Sequence, residues 1–209
     1  MKPIFLLYLF FLLFSCPLNK EVGSIKNYQT PFFDVKELSK PVKFPNGNFY
    51  KFVFISDKKY KIEWGNNHFK NVSKETFEVL GNGALKMETF DNEFIILKQG
   101  CGQKCHYAVV LPLYEKRKES IYEEVVKIDI ENRVIVCMSD DNEFFIVFKN
   151  FVNNKEMKIK EKDLCPAANP IECIDSCYFK GSYFFIYWQG SKWESKKPDN
   201  KMRKIEIPQ

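Results

Sequence analysis

The sequence predicts an all-β domain: an antiparallel meander forming a sandwich or barrel-like body, with a propeller-like array of hairpins as the alternative. Three observations carry this. Apolar residues alternate or run in blocks of mostly five to nine, too short for helices. The blocks are rich in Val, Ile, Phe and Tyr, which suit a pleated, half-buried surface. Turn residues separate them, and no window of a dozen residues keeps a 3.6-residue apolar period.

The blocks follow in order. Phe49 to Ile55 is closed by Asp57-Lys58-Lys59, and Tyr60 to Trp64 by Gly65-Asn66-Asn67. Val72 to Leu80 precedes Gly81-Asn82-Gly83, and Ala84 to Phe90 precedes Asp91-Asn92. Phe94 to Lys98, His106 to Leu111, Glu124 to Ile130, Arg133 to Met138, Phe144 to Lys149 and Tyr183 to Trp188 continue the series. The nearest helix candidate, Tyr114 to Val126, is charged and weakly periodic, and reads as a loop or one short helix. Asp-Asn-Glu-Phe recurs 50 residues apart, at Asp91 and Asp141, and Tyr178 to Phe185 repeats the shape with a different turn. A period near 50 is what suggests propeller blades.

The N-terminus has a different character. Met1-Lys2 is followed by an uncharged apolar run from Ile4 to Phe14. That run has the length of a signal-peptide core and falls well short of the roughly 20 residues a spanning helix needs. It ends in Leu13-Phe14-Ser15-Cys16, which resembles the lipobox of bacterial lipoproteins, although Phe14 stands where a small residue is usual. The resemblance implies a signal peptide over residues 1–15 and a lipid on Cys16. Two acyl chains would then hold the protein on a membrane, where one chain holds only marginally. Residues 16–30 read as a lipid-anchored tether and 31–209 as a single β-rich domain. The expected location is the cell envelope. A soluble periplasmic or secreted protein, with Cys16 an incidental thiol, is the alternative.

The chain carries 32 Lys and Arg against 27 Asp and Glu, a net +5. Only Arg117, Arg133 and Arg203 are arginines, and no window concentrates the lysines. Arginine is the side chain that bidentate phosphate and base recognition favours, so its scarcity, with the expected export, argues against nucleic acid as a partner.

Beyond Cys16 lie six cysteines: Cys101, Cys105, Cys137, Cys165, Cys173 and Cys177. An even number in an exported chain reads as disulfides, and six allow 15 pairings. One pairing is expected. Cys101 and Cys105 would close a tight turn between Phe94 to Lys98 and His106 to Leu111, with Gly100 and Gly102 easing the reversal. Cys101-Gly-Gln-Lys-Cys105-His106 is also the c-type haem motif CxxCH with one residue too many, and His68 would be the other axial ligand. The non-standard spacing argues against haem. Zinc on the Cys101/Cys105 and Cys173/Cys177 pairs would compete with oxidation. No cofactor is expected.

Gly100-Cys101-Gly102-Gln103-Lys104-Cys105 is similar to the GCGxxC of a group of uncharacterised exported bacterial β-rich proteins, in which it lies between two strands. A strand pair and a Tyr-rich strand ending in Trp follow there, matching Arg133 to Met138 and Tyr183 to Trp188. The likeness covers roughly residues 93–190. It implies export and β structure, and no activity.

Catalytic signals are weak. There is no GxSxG and no HExxH. Asp140-Asp141-Asn142-Glu143 lacks the spacing of a calcium loop. Tyr187, Trp188 and Trp193 are candidate ligand-facing aromatics for a sugar or a protein, against the plainer reading that they are buried. Tyr183, Phe185 and Tyr187 share one face of their strand, and Phe184, Ile186 and Trp188 the other. The expectation is an envelope-anchored binding or structural module, with an envelope protein or glycan as partner. The rivals are an envelope hydrolase using a carboxylate pair and a lysozyme-inhibitor-like module. Tyr187-Trp188-Gln189-Gly190-Ser191-Lys192-Trp193 loosely resembles the last strand of such inhibitors, but their serine-glycine loop is missing.

Overall fold

Two kinds of strand build this protein, and their difference explains its architecture. Some alternate buried and exposed residues; others are buried at almost every position. A computed structural model describes residues 34–80, 83–100, 106–141, 143–165, 167, 170–191 and 199–207. The expected signal peptide, Cys16, the tether, the Cys101–Cys105 pair and Trp193 lie outside them.

After a four-residue helix, α1 (Val35–Leu38), the regular structure of the described chain is almost all strand. The first sheet joins β1 (Val42–Lys43), β2 (Phe49–Phe54), β3 (Lys59–Gly65) and β4 (Lys70–Val72) in chain order, with β5 (Phe77–Glu78) also on β3. The second is β6 (Lys86–Phe90), β7 (Phe94–Gly100), β8 (His106–Pro112) and β9 (Ser120–Tyr122). The third is β10 (Val125–Asp129), β11 (Val134–Met138), β12 (Ile146–Asn150) and β13 (Glu156–Ile159). A short 3-10 turn, Pro170–Cys173, leads into the fourth: β14 (Ile174–Lys180), β15 (Tyr183–Gln189) and β16 (Asn200–Glu206). Every pairing is antiparallel. The expected all-β meander is therefore observed, among the described residues as four sheets packed in sandwich fashion with no closed barrel.

The sheets stack face on face in chain order. Tyr60, Ile62 and Trp64 of the first pack against Ile95, Leu97, Val109 and Leu111 of the second. The opposite face of the second sheet, Phe94, Ile96, Ala108 and Val110, meets Ile135 and Cys137 of the third. Beyond the third, Val136, Ile146 and Phe148 meet Phe184, Ile186 and Trp188 of the fourth. The second and third sheets are thus covered on both faces. A strand covered on both faces has no reason to alternate. Accordingly Phe94 to Leu97, Ala108 to Leu111 and Val134 to Met138 are buried throughout. In the outer sheets β3 and β15 alternate cleanly. Each large side chain so covered contributes ~1.5–3 kcal/mol of apolar transfer.

Four readings need correction. Val72 to Leu80 is not one strand: Ser73 turns inward, and its hydroxyl accepts from Ile62 N (3.0 Å) and donates to Glu75 O (2.8 Å), separating β4 from β5. Tyr114 to Val126 is loop only as far as Glu119; strand β9 and the start of β10 follow, and it forms no helix. The Asp-Asn-Glu-Phe echo is turn chemistry and not a blade repeat. Asp91 accepts from the amides of Glu93 and Phe94 (2.7 and 2.8 Å) between the first two strands of its sheet. Asp141 accepts from Glu143 N (3.0 Å) between the second and third strands of the next, out of phase. Finally, the six later cysteines are not all paired. Cys165 and Cys173 form a disulfide with Cα atoms 5.6 Å apart, while Cys137 and Cys177 are free thiols. Cys137 faces the second sheet and Cys177 faces the third, so a whole sheet layer lies between them. The disulfide also removes Cys173 from any zinc site.

One polar clamp ties the second sheet to the third. Arg133, at φ +59° in the β10–β11 turn, donates to Asp91 and Glu93 in the β6–β7 turn. It also donates to Ile130 O (2.9 Å), and its guanidinium carbon lies 5.0 Å from the Phe94 ring centre.

Candidate functional site

The two ends of the stack are finished differently. On the outer face of the first sheet, Lys51 and Lys70 pair with Glu63 (3.1 and 3.9 Å) and Lys59 pairs with Glu78 (3.3 Å). Crossed ion pairs of this kind suit a face left to solvent. The outer face of the fourth sheet is aromatic.

Its rows follow from the register. Ile174 points inward, and a bulge at Asp175 turns Ser176 and Tyr178 outward with Lys180. Tyr183, Phe185 and Tyr187 face outward from β15, and Met202, Lys204 and Glu206 from β16. Three rows result: Ser176–Tyr187–Met202, Tyr178–Phe185–Lys204 and Lys180–Tyr183–Glu206. Tyr178 is 41% exposed, Tyr183 37% and Met202 57%. Tyr178 lies 5.0 Å from Phe185 with planes 11° apart, and 6.3 Å from Tyr187 at 23°. Parallel rings this close must be offset-stacked, since rings lying flat side by side need about 6.5 Å or more. Their faces are turned to one another, and what they present outward is ring edges and hydroxyls. A hydrogen bond with Tyr178 raises the Tyr187 phenol above its ordinary pKa. Lys204 Nζ sits 3.5 Å from the Tyr183 ring centre, a cation–π contact.

Of the candidate aromatics, Tyr187 lies on this face, half-buried. Trp188 does not. It is 4% exposed, points into the core beside Phe145, and its indole N–H donates to Asp163 O at 2.9 Å. The strand alternation that groups Tyr187 with Phe185 sends Trp188 the other way. Tyr178, Met202, Lys204 and Glu206 were not singled out by sequence, because their membership depends on how β14 and β16 register on β15.

Two clefts complete the picture. The larger, about 700 Å³, opens where the edges of the second, third and fourth sheets meet. It is lined by Glu88, Lys127, Asp129, Glu131, Tyr178 and Ser182 among others. The second, about 450 Å³, gathers Glu75, Glu78, Glu123 and Glu124 around Tyr107. Burial pushes the Tyr107 phenol up to about 12, and its hydroxyl donates to Gln99. Among the described residues, no group of three or more His, Cys, Asp and Glu could hold a metal ion. His68 is exposed in the β3–β4 turn, and His106 opens β8 in the next sheet.

No family model, curated protein or solved structure matches this chain.

Proposed function

We propose that this protein is an envelope-anchored lipoprotein that acts by contact, as a binding or structural module, through the outer face of its fourth sheet. The observation that carries the contact surface is the outward-facing ladder of Tyr178, Phe185, Tyr187 and Tyr183, exposed at Tyr178 and Tyr183. Its counterpart at the other end of the stack is charged, so exposure alone does not require aromatic residues. The ring geometry favours a protein partner over a glycan. Sugars stack on open ring faces, and here the faces lie against each other. Edges, hydroxyls and Met202 suit the side chains of a facing protein surface. The anchor rests on Leu13-Phe14-Ser15-Cys16 and on the short apolar run before it.

The anchor is tested with Cys16→Ser, expected to leave the membrane fraction or to stall in processing. Unchanged fractionation and migration would overturn it. The contact surface is tested with a photo-crosslinking residue at Tyr183, and at Val53 on the outer face of the first sheet as control. Protein adducts are expected at Tyr183 alone. Adducts absent there, with the protein instead pelleting with insoluble cell-wall glycan, would reverse the choice of partner.

A second reading has one observation in its favour. Glu88, Asp129 and Glu131 share the larger cleft, and a carboxylate pair is what glycoside hydrolysis requires. Loss of measurable glycan cleavage in Asp129→Asn, from a detectable parent rate, would support it.

A further inference from the structure

Taking this face as a contact surface, we propose that the partner it is built for is a second copy of the same chain, docked face to face about a two-fold axis parallel to β15. The proposal rests on the reading above and names its occupant.

The rows carry the argument. In the third, Lys180 and Glu206 stand at opposite ends, two strands apart. They lie two strand spacings apart, about 9.6 Å, with the Tyr183 side chain standing between them. Among the described residues neither has an ion-pair partner. A two-fold axis along β15, midway between two facing copies, keeps each row level and exchanges β14 with β16. Lys180 of one copy then faces Glu206 of the other, and the reverse holds at the far side. In the second row Tyr178 faces Lys204 of the other copy, which sets the ammonium against a phenol hydroxyl. In the first, Ser176 faces Met202. The central strand meets itself, Tyr183 on Tyr183, Phe185 on Phe185 and Tyr187 on Tyr187. Such self-complementarity is what an isologous interface demands. Aligned sheets pack about 30° apart, which moves the corner residues by about 4 Å, within the reach of a lysine or glutamate side chain.

The same packing is used three times inside each chain, sheet face on sheet face. The area sets the strength. Three strands of seven residues cover about 14 by 23 Å. That is roughly 330 Å² of flat footprint, below the ~800 Å² per partner of a standard stable interface. The dimer is therefore weak in solution. Confinement of both copies to one membrane raises their effective concentration, which is where a weak, oriented contact matters.

The experiment uses the full chain, in cells and purified in mild detergent. Light scattering of the purified protein is expected to show a concentration-dependent monomer–dimer equilibrium. Glu206→Lys and Lys180→Glu alone each lower the association constant by ~10-fold or more, and together restore it to within ~3-fold of the parent. A photo-crosslinker at Tyr183 yields an adduct of twice the chain mass. A parent that stays monomeric at ~100 µM without a homodimer adduct in cells overturns the proposal. So does a double variant that fails to recover while keeping the parent's far-UV circular dichroism and melting temperature. Adducts at Tyr183 that contain only another protein sink self-docking and leave the contact surface standing. No adduct of any kind sinks both.

Discussion

Arg133→Ala should destabilise the protein by about 2 kcal/mol at neutral pH, and by much less near pH 3. The side chain is 25% exposed; Asp91, its closer partner, is 29% exposed and Glu93 48%. The Asp91 pair, mostly withdrawn from water, is worth about 1 kcal/mol, and the more exposed Glu93 pair about 0.5. The contact with Phe94 adds about 0.5 kcal/mol. Burial pushes the Asp91 carboxyl up. The hydrogen bond from Arg133 and those from the amides of Glu93 and Phe94 outweigh it, and the net position is below the ordinary 3.8. A carboxyl depressed in the folded state stabilises fully above its unfolded pKa and stops doing so as pH falls through its folded one. The ion-pair part of the Arg133 contribution therefore fades below pH 3.8, leaving the ring contact. Urea unfolding of parent and variant at pH 7 and pH 3 measures both numbers, and Arg133→Lys, which keeps the charge without the fork, should lose about half as much. An Arg133→Ala cost that is equal at the two pH values, or below ~0.5 kcal/mol at pH 7, would refute the clamp.

Two further predictions concern sulfur. Opening the Cys165–Cys173 bridge, eight residues apart, with Cys165→Ala should cost about 2.5 kcal/mol by loop-closure entropy, and reductant should cost the parent at least as much; a loss of unfolding free energy in urea below about 0.5 kcal/mol would contradict it. Cys137 is 2% exposed and its thiol is pushed up to about 12 by burial, so alkylation of Cys137 at pH 7 should track global unfolding in urea, while the half-buried Cys177 labels earlier; equal labelling of both under native conditions would place Cys137 wrongly.

The inner strands were the legible ones. β7, β8, β11 and β12 announce themselves as apolar runs, because both their faces are covered and every position is under the same demand. The edge strands were not. β13 reads Glu-Met-Lys-Ile and β16 Asn-Lys-Met-Arg-Lys-Ile-Glu, and lysines on an edge guard it against stray pairing while hiding it from a search for hydrophobic blocks. The candidate face was half legible for a related reason. Alternation groups Tyr183, Phe185 and Tyr187 correctly, yet it cannot say which group is covered. That depends on the fourth sheet being the last in the stack, so that Trp188 meets Phe145 while, among the described residues, no further sheet covers Tyr187. The Cys165–Cys173 pairing was hidden among the 15 combinations because only the 3-10 turn at Pro170–Cys173 brings the two together.

Each sheet is made only from strands adjacent in the sequence, and this bears on how the chain acquires its structure. All-β proteins generally fold slowly, since distant segments must find each other before any contact rewards them. Here hairpins such as β7–β8 and β11–β12 need no remote partner to begin, and each can be in place before the next has been synthesised. The hazard lies at intermediate lengths. A chain that has completed its second sheet but not its third leaves Phe94, Ile96, Ala108 and Val110 as a bare apolar surface, the kind that draws neighbouring chains together. The interval between those two sheets, and not the rate of any single hairpin, is where a holding chaperone would find its substrate.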